Sequence, residues 1–106
     1  MRQLTLGNTL VSALCLGGVW FGTKEDRATS FRLLDQYVDA GGRFIDTANM
    51  YAHWFSEETS GGESETVIGE WLKQRRGGDE FSIATKLGFP YPVVAQGLRA
   101  SQIIEE

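Results

Sequence analysis

Short alternations of apolar and polar residues open the chain. Leu4-Thr5-Leu6 and Thr9-Leu10-Val11 flank Gly7-Asn8, the pattern of a β-hairpin closed by a tight turn. Ser12 to Leu16 reads on as a second apolar strand that stops at Gly17-Gly18. The period then changes from two to about three and a half. From Glu25 to Ala40, the residues Ala28, Phe31, Leu34 and Val38 recur at helical spacing, which predicts one buried helix face. Glu25 and Asp26 are expected in its first turn, where negative charge suits the helix dipole. Gly41-Gly42 is expected to stop it.

Phe44 to Thr47 predicts a short buried strand. Asn49 to Gly62 follows as a long loop with Tyr51, His53, Trp54 and Phe55, and loops of that length are usually functional or mobile. Glu63 to Arg76 returns to helical spacing with Val67, Ile68, Trp71 and Leu72 on one face, ended by Gly77-Gly78. Phe81 to Lys86 predicts another strand, Phe89 to Gly97 a loop, and Arg99 to Glu106 the opening of a further helix, with Ile103 and Ile104 starting its apolar face. A hairpin followed by β-α-β-α-β-α predicts a parallel α/β sheet with right-handed crossovers. The Gly-Gly stops at Gly41 and Gly77 lie 36 residues apart, yet no sequence repeat accompanies that spacing.

Composition narrows the function classes. The chain has 106 residues, 42% of them hydrophobic and 23% charged, which fits one globular domain. Its net charge of -4 gives no electrostatic case for nucleic acid. A single cysteine cannot close an internal disulfide, and a single histidine leaves little for a metal site. Leu10 to Phe21, behind Arg2, loosely imitates a signal peptide. A lipoprotein would need a small residue before Cys15, where Leu14 stands, and the run is short of the ~20 apolar residues of a membrane span. A buried strand with Cys15 as inert core is the better reading, and a cytoplasmic location is expected.

In a parallel sheet, ligands meet the carboxyl ends of the strands. There the chain places Gly17-Gly18-Val19-Trp20-Phe21-Gly22, then Asp46 with Tyr51 on the following loop, then Lys86. Asp46 and Lys86 at neighbouring strand ends can form a partly buried ion pair. An ammonium near Tyr51 favours phenolate, which brings a phenol toward use as a general acid. Each residue also has an ordinary role, since Asp-Thr caps loops and a strand-end lysine is commonly solvated. The spacing alone leaves both readings open.

Gly17 to Lys24 is not a phosphate-binding loop, because Thr23 precedes Lys24 where Gly-Lys-Ser/Thr is required. The G-x-G-x-x-G fingerprint is absent too. Trp20 and Phe21 either line an apolar pocket or pack beneath the first helix. His53, with no acid partner at a fixed spacing, reads as a loop residue.

The run Phe44-Ile45-Asp46-Thr47-Ala48-Asn49-Met50-Tyr51 resembles the aldo-keto reductase family, whose hallmark is Asp-Thr-Ala and then Tyr after two more residues. Leu16-Gly17-Gly18, Gly41-Gly42-Arg43-Phe44, Gly62-Glu63-Ser64-Glu65 and Ile83-Ala84-Thr85-Lys86 agree in order, so the likeness runs from about Leu4 to the end. The resemblance implies NADPH-dependent carbonyl reduction in a (β/α)8 barrel, with residues 1–106 as the N-terminal part of that barrel domain. It implies Tyr51 as proton donor, Lys86 lowering its pKa and Asp46 paired with Lys86. Gly18, Val19, Trp20 and Asp46 would lie near the nicotinamide of NADP(H). Trp20, Trp54 and Phe55 would face a small carbonyl or alcohol substrate.

A whole barrel needs ~250 residues, so this is about three of eight units. The family's fourth catalytic residue, a His on the next strand, and most phosphate contacts would lie beyond Glu106. The isolated chain is therefore expected to be inactive, and to associate with itself through its open sheet. Two other readings remain: a non-enzymatic nucleotide sensor or docking protein of the same fold, and a small flavodoxin-like domain that binds a nucleotide or anion.

Overall fold

The computed structural model describes residues 1–75, 80–90 and 97–105. Strands β1 (Gln3–Leu6) and β2 (Thr9–Ser12) form the antiparallel hairpin, with Leu4 opposite Val11. The second sheet is parallel, in the order β3 (Leu16–Gly17), β4 (Phe44–Asp46), β5 (Ser82–Ala84). Helix α1 (Arg27–Asp39) connects β3 to β4, and α2 (Glu63–Gln74) connects β4 to β5. A short α3 (Ala100–Glu105) follows. Among the described residues, no helix is long and apolar enough to cross a membrane. Gly77-Gly78 and most of the Phe89–Gly97 loop lie outside the described residues.

Register fixes which face of the sheet meets the helices. Leu16, Ile45 and Ile83 are partners across the three strands. Ile45 is fully buried in a core with Leu34 and Val38 of α1, Val67, Ile68 and Trp71 of α2, and Phe21. Side chains alternate along a strand, so Gly17, Phe44, Asp46, Ser82 and Ala84 take the opposite face.

Four expectations need correction. The apolar run Ser12 to Leu16 is not one strand. Ser12 ends β2, its hydroxyl donates to the Leu14 carbonyl at 2.8 Å and accepts from the Arg43 amide at 3.0 Å, and the chain turns there before β3 begins. Cys15 lies in that turn and is exposed, so it is not core. In α1, Ala28 is exposed, and the buried stripe is Ser30, Leu34 and Val38. Ser30 can occupy it because its hydroxyl donates to the Glu25 carbonyl at 3.1 Å. Asp26 is the N-cap rather than a first-turn residue, accepting from the Thr29 amide at 2.7 Å, with Glu25 one position further out. At the other end of the helix, Gly41 takes the left-handed backbone (φ 87°) that glycine adopts most readily.

Candidate active site

Pairing between β4 and β5 continues past the ends of the strands. The Thr47 amide donates to the Ala84 carbonyl at 2.8 Å and the Asn49 amide to the Lys86 carbonyl at 3.1 Å. That extension carries Lys86 two residues beyond Ala84, the register partner of Asp46, and returns its side chain to the face of Asp46. Lys86 Nζ donates to Asp46 Oδ2 at 2.6 Å and to the Thr47 carbonyl at 2.8 Å. It also lies 4.9 Å from the centre of the Tyr51 ring. Partial burial works to lower the Lys86 pKa. The bonds to Asp46 and the Tyr51 phenol outweigh it and leave the ammonium above its ordinary value. The structure thus brings Asp46, Tyr51 and Lys86 together at the carboxyl end of the sheet.

Tyr51 stands in a loop made of successive tight turns. Amides of Tyr51, His53 and Phe55 each donate three residues back, to Ala48, Met50 and Ala52. Ala52 is buried with φ 83°, a conformation non-glycine residues seldom adopt and one that concentrates at functional loops. Its carbonyl accepts from Thr59 Oγ1 at 2.6 Å, which pulls the far half of the loop inward. Trp54 meets the Tyr51 ring edge-on at 6.0 Å and the His53 ring at 5.1 Å. His53 Nδ1 lies 3.1 Å from the Met50 carbonyl in the same loop.

The residues after β3 divide. Phe21 is buried in the core, whereas Trp20 is turned out and 41% exposed, with Lys24 Nζ 5.4 Å from its ring centre. Trp54 and Phe55 are also exposed, at 45% and 46%. Gly18 is buried, and its amide donates to the Asp46 carbonyl at 2.8 Å. Val19 is half-buried beside it. Gly17 and Ala84, the register partners of Asp46, leave the face around the carboxylate flat, and a Cβ at Gly17 would meet nothing within 4 Å. The carboxylate therefore stands over an open floor of small residues.

Cys15, exposed in the turn just before β3, lies within electrostatic reach of this pair. Partial burial and the Asp46 carboxylate raise its thiol pKa, while Lys86 pulls it down, so the cysteine feels both members of the pair. Its apolar neighbours Leu14 and Leu16 hid that placement in the sequence. The Ser64 and Thr47 hydroxyls were also missed. They are buried and bonded to each other at 2.7 Å, next to Gly18 and Asp46. A groove of about 490 Å³ between the starts of α1 and α2 is lined by none of Asp46, Tyr51 and Lys86.

Residues 13–106 match the Aldo/keto reductase family. The chain belongs to that family. It is 42% identical over 88 residues to norsolorinic acid reductase of Aspergillus flavus, which covers 76% of this chain and 21% of that protein. It is 41% identical over 99 residues to an aryl-alcohol dehydrogenase [NADP(+)] of Phanerodontia chrysosporium, covering 85% and 24%. An uncharacterized oxidoreductase of Bacillus subtilis is 40% identical over 95 residues, covering 85% and 27%. The chain therefore spans about a fifth to a quarter of the length of these relatives. Family membership sets aside the independent flavodoxin-like domain.

Proposed function

We propose that residues 1–106 are the N-terminal part of a (β/α)8 barrel domain whose full-length protein reduces aldehydes or ketones to alcohols with NADPH. The observation that carries this reading is the 2.6 Å pair between Lys86 and Asp46, with Tyr51 against the same ammonium. In the proposed mechanism, the carbonyl oxygen of the substrate accepts a hydrogen bond from the Tyr51 hydroxyl. The Tyr51 proton passes to that oxygen as it gains negative charge, and the Lys86 ammonium stabilises the phenolate left behind. Asp46 keeps Lys86 charged and aimed. Gly18, Val19 and Trp20 with Asp46 would hold the nicotinamide end of the cofactor, which when bound supplies the hydride.

Aromatic carbonyls are the favoured substrates. Trp20, Trp54 and Phe55 present exposed rings near the reactive cluster, and a relative is named for aryl alcohols. Residues 1–106 alone are inactive on this reading. By family resemblance the substrate-orienting histidine and the phosphate contacts of the cofactor come from later strands.

The test is isotopic. The full-length protein is given an aromatic aldehyde and NADPH carrying deuterium at the transferable position. Deuterium at the alcohol carbon is the expected result. Cofactor left unconsumed over a panel of aromatic and aliphatic carbonyls would overturn the proposal.

A further inference from the structure

We infer that Ser64 and Glu65, in the first turn of α2, form a positioning clamp that holds the carboxyl ends of β3, β4 and β5 in the arrangement that joins Lys86 to Asp46. As a role in catalysis this rests on the proposed reductase function; as a role in placing Lys86 it does not.

Ser64 is fully buried and Thr47 is 1% exposed. The Ser64 hydroxyl donates to the Gly18 carbonyl at 2.7 Å. A hydroxyl has one proton, so the Thr47 hydroxyl, 2.7 Å away, must be the donor to Ser64 Oγ. The result is a directed chain from Thr47 through Ser64 to Gly18, from the end of β4 to the end of β3. The Gly18 amide closes the ring by donating back to the Asp46 carbonyl at 2.8 Å. The fit is tight. A Cβ at Gly18 would lie 3.0 Å from Ser64 Oγ and 3.1 Å from the Phe21 ring.

Glu65 makes the third tie. Its Oε1 accepts from Thr85 Oγ1 at 2.6 Å, one residue before Lys86. The two acceptors of Lys86, Asp46 Oδ2 and the Thr47 carbonyl, are on the adjacent residues that Ser64 secures. Ser64 does not act as a helix cap, because its hydroxyl is spent on strand residues rather than on the backbone of α2. Serine suits the position because it is small and both donates and accepts. Glutamate suits the next because the start of a helix favours negative charge.

Removing either hydroxyl leaves buried groups unpaired, and the strand ends must shift to satisfy them. Lys86 then loses its aligned acceptors, and more of it exists as free amine. Trace labelling of amines by an acid anhydride in the full 106-residue chain, read by peptide mass spectrometry, reports that fraction. Lys73 on α2 is the exposed internal reference. At about pH 9, Ser64→Ala and Thr47→Val should raise Lys86 labelling relative to Lys73 by about threefold or more, the effect of half a pKa unit. Thr47→Ser, which keeps the hydroxyl, should stay near wild type. An unchanged ratio in Ser64→Ala and Thr47→Val, with helix content intact by circular dichroism, would overturn the clamp. Where a buried substitution costs helix content, Glu65→Ala at the accessible tie decides by the same rule: a raised ratio supports the clamp and an unchanged one overturns it. Labelling needs neither cofactor nor turnover, so a failed clamp and a failed reductase reading give separate signatures.

Discussion

Lys86 is fixed by two acceptors, Asp46 Oδ2 and the Thr47 carbonyl, and that arrangement has a definite pH signature. Its pKa is raised from the ordinary 10.5, burial opposing and the bonds to Asp46 and Tyr51 prevailing. A group with a higher pKa in the folded state stabilises that state while both states are protonated. The contribution is lost as pH rises through the folded value. Lys86→Met should therefore be less stable than wild type by a margin that is constant below 10.5 and shrinks above it. Denaturant titrations across that range check this, and a margin that grows with alkalinity would contradict it. Asp46, Tyr51 and Lys86 were legible in the sequence because strand ends in a parallel sheet define where reactive groups meet. Cys15 was misread because an apolar run was taken for a strand, whereas Ser12 bends the chain out of the sheet just before it. Ser64 and Thr47 stand within the family-like runs, but nothing in the sequence gives their hydroxyls a role, since serine and threonine next to helix starts and strand ends are commonplace.

Among the elements, the join between hairpin and sheet depends on one phenol. The Tyr37 hydroxyl lies 2.6 Å from the Leu14 carbonyl, 2.7 Å from the Phe44 carbonyl and 2.8 Å from Ser12 Oγ, and it accepts from the Phe44 amide at 3.1 Å. It ties α1 to the end of β2, the turn and the start of β4. Gly42 is packed so closely beneath that ring that an added Cβ would collide with it. Gly42→Ala should destabilise the chain by about 1–3 kcal/mol, the range for overpacking a well-filled site. Chemical denaturation measures it, and an unchanged midpoint would mean that the ring moves aside without cost. Both long helices and the order of strands were readable from the period of apolar residues. Periodicity alone chose Ala28 over Ser30 because it cannot see a buried hydroxyl satisfied by its own helix start. Likewise Trp20 and Phe21 are adjacent and alike in the sequence, and only the packing of α1 and α2 sends Phe21 inward and Trp20 out.

The whole molecule leaves much apolar surface in water. The sheet face away from the helices carries Gly17, Asp46 and Ser82 beside the apolar Phe44 and Ala84. Exposed apolar groups gather elsewhere: Leu6 and Leu10 on the hairpin, Leu14 in the turn, Ile83 on β5, and Ile104, which is 84% exposed. Among the described residues β3 and β5 are the outer strands of their sheet, and outer strands are the usual template for strand addition. Dilute chain should sediment as oligomers and bind an apolar dye, whereas a compact monomer that binds no dye would contradict this. On the proposed function, the three side chains at the carboxyl end of the sheet are the proton-transfer apparatus of a carbonyl reductase. Turnover of Tyr51→Phe in the full-length protein, at saturating cofactor and substrate, tests it most directly. Loss of the donor should lower kcat by about 10²- to 10⁴-fold while cofactor affinity stays near wild type. Wild-type kcat in Tyr51→Phe would remove Tyr51 from the chemistry and contradict the account.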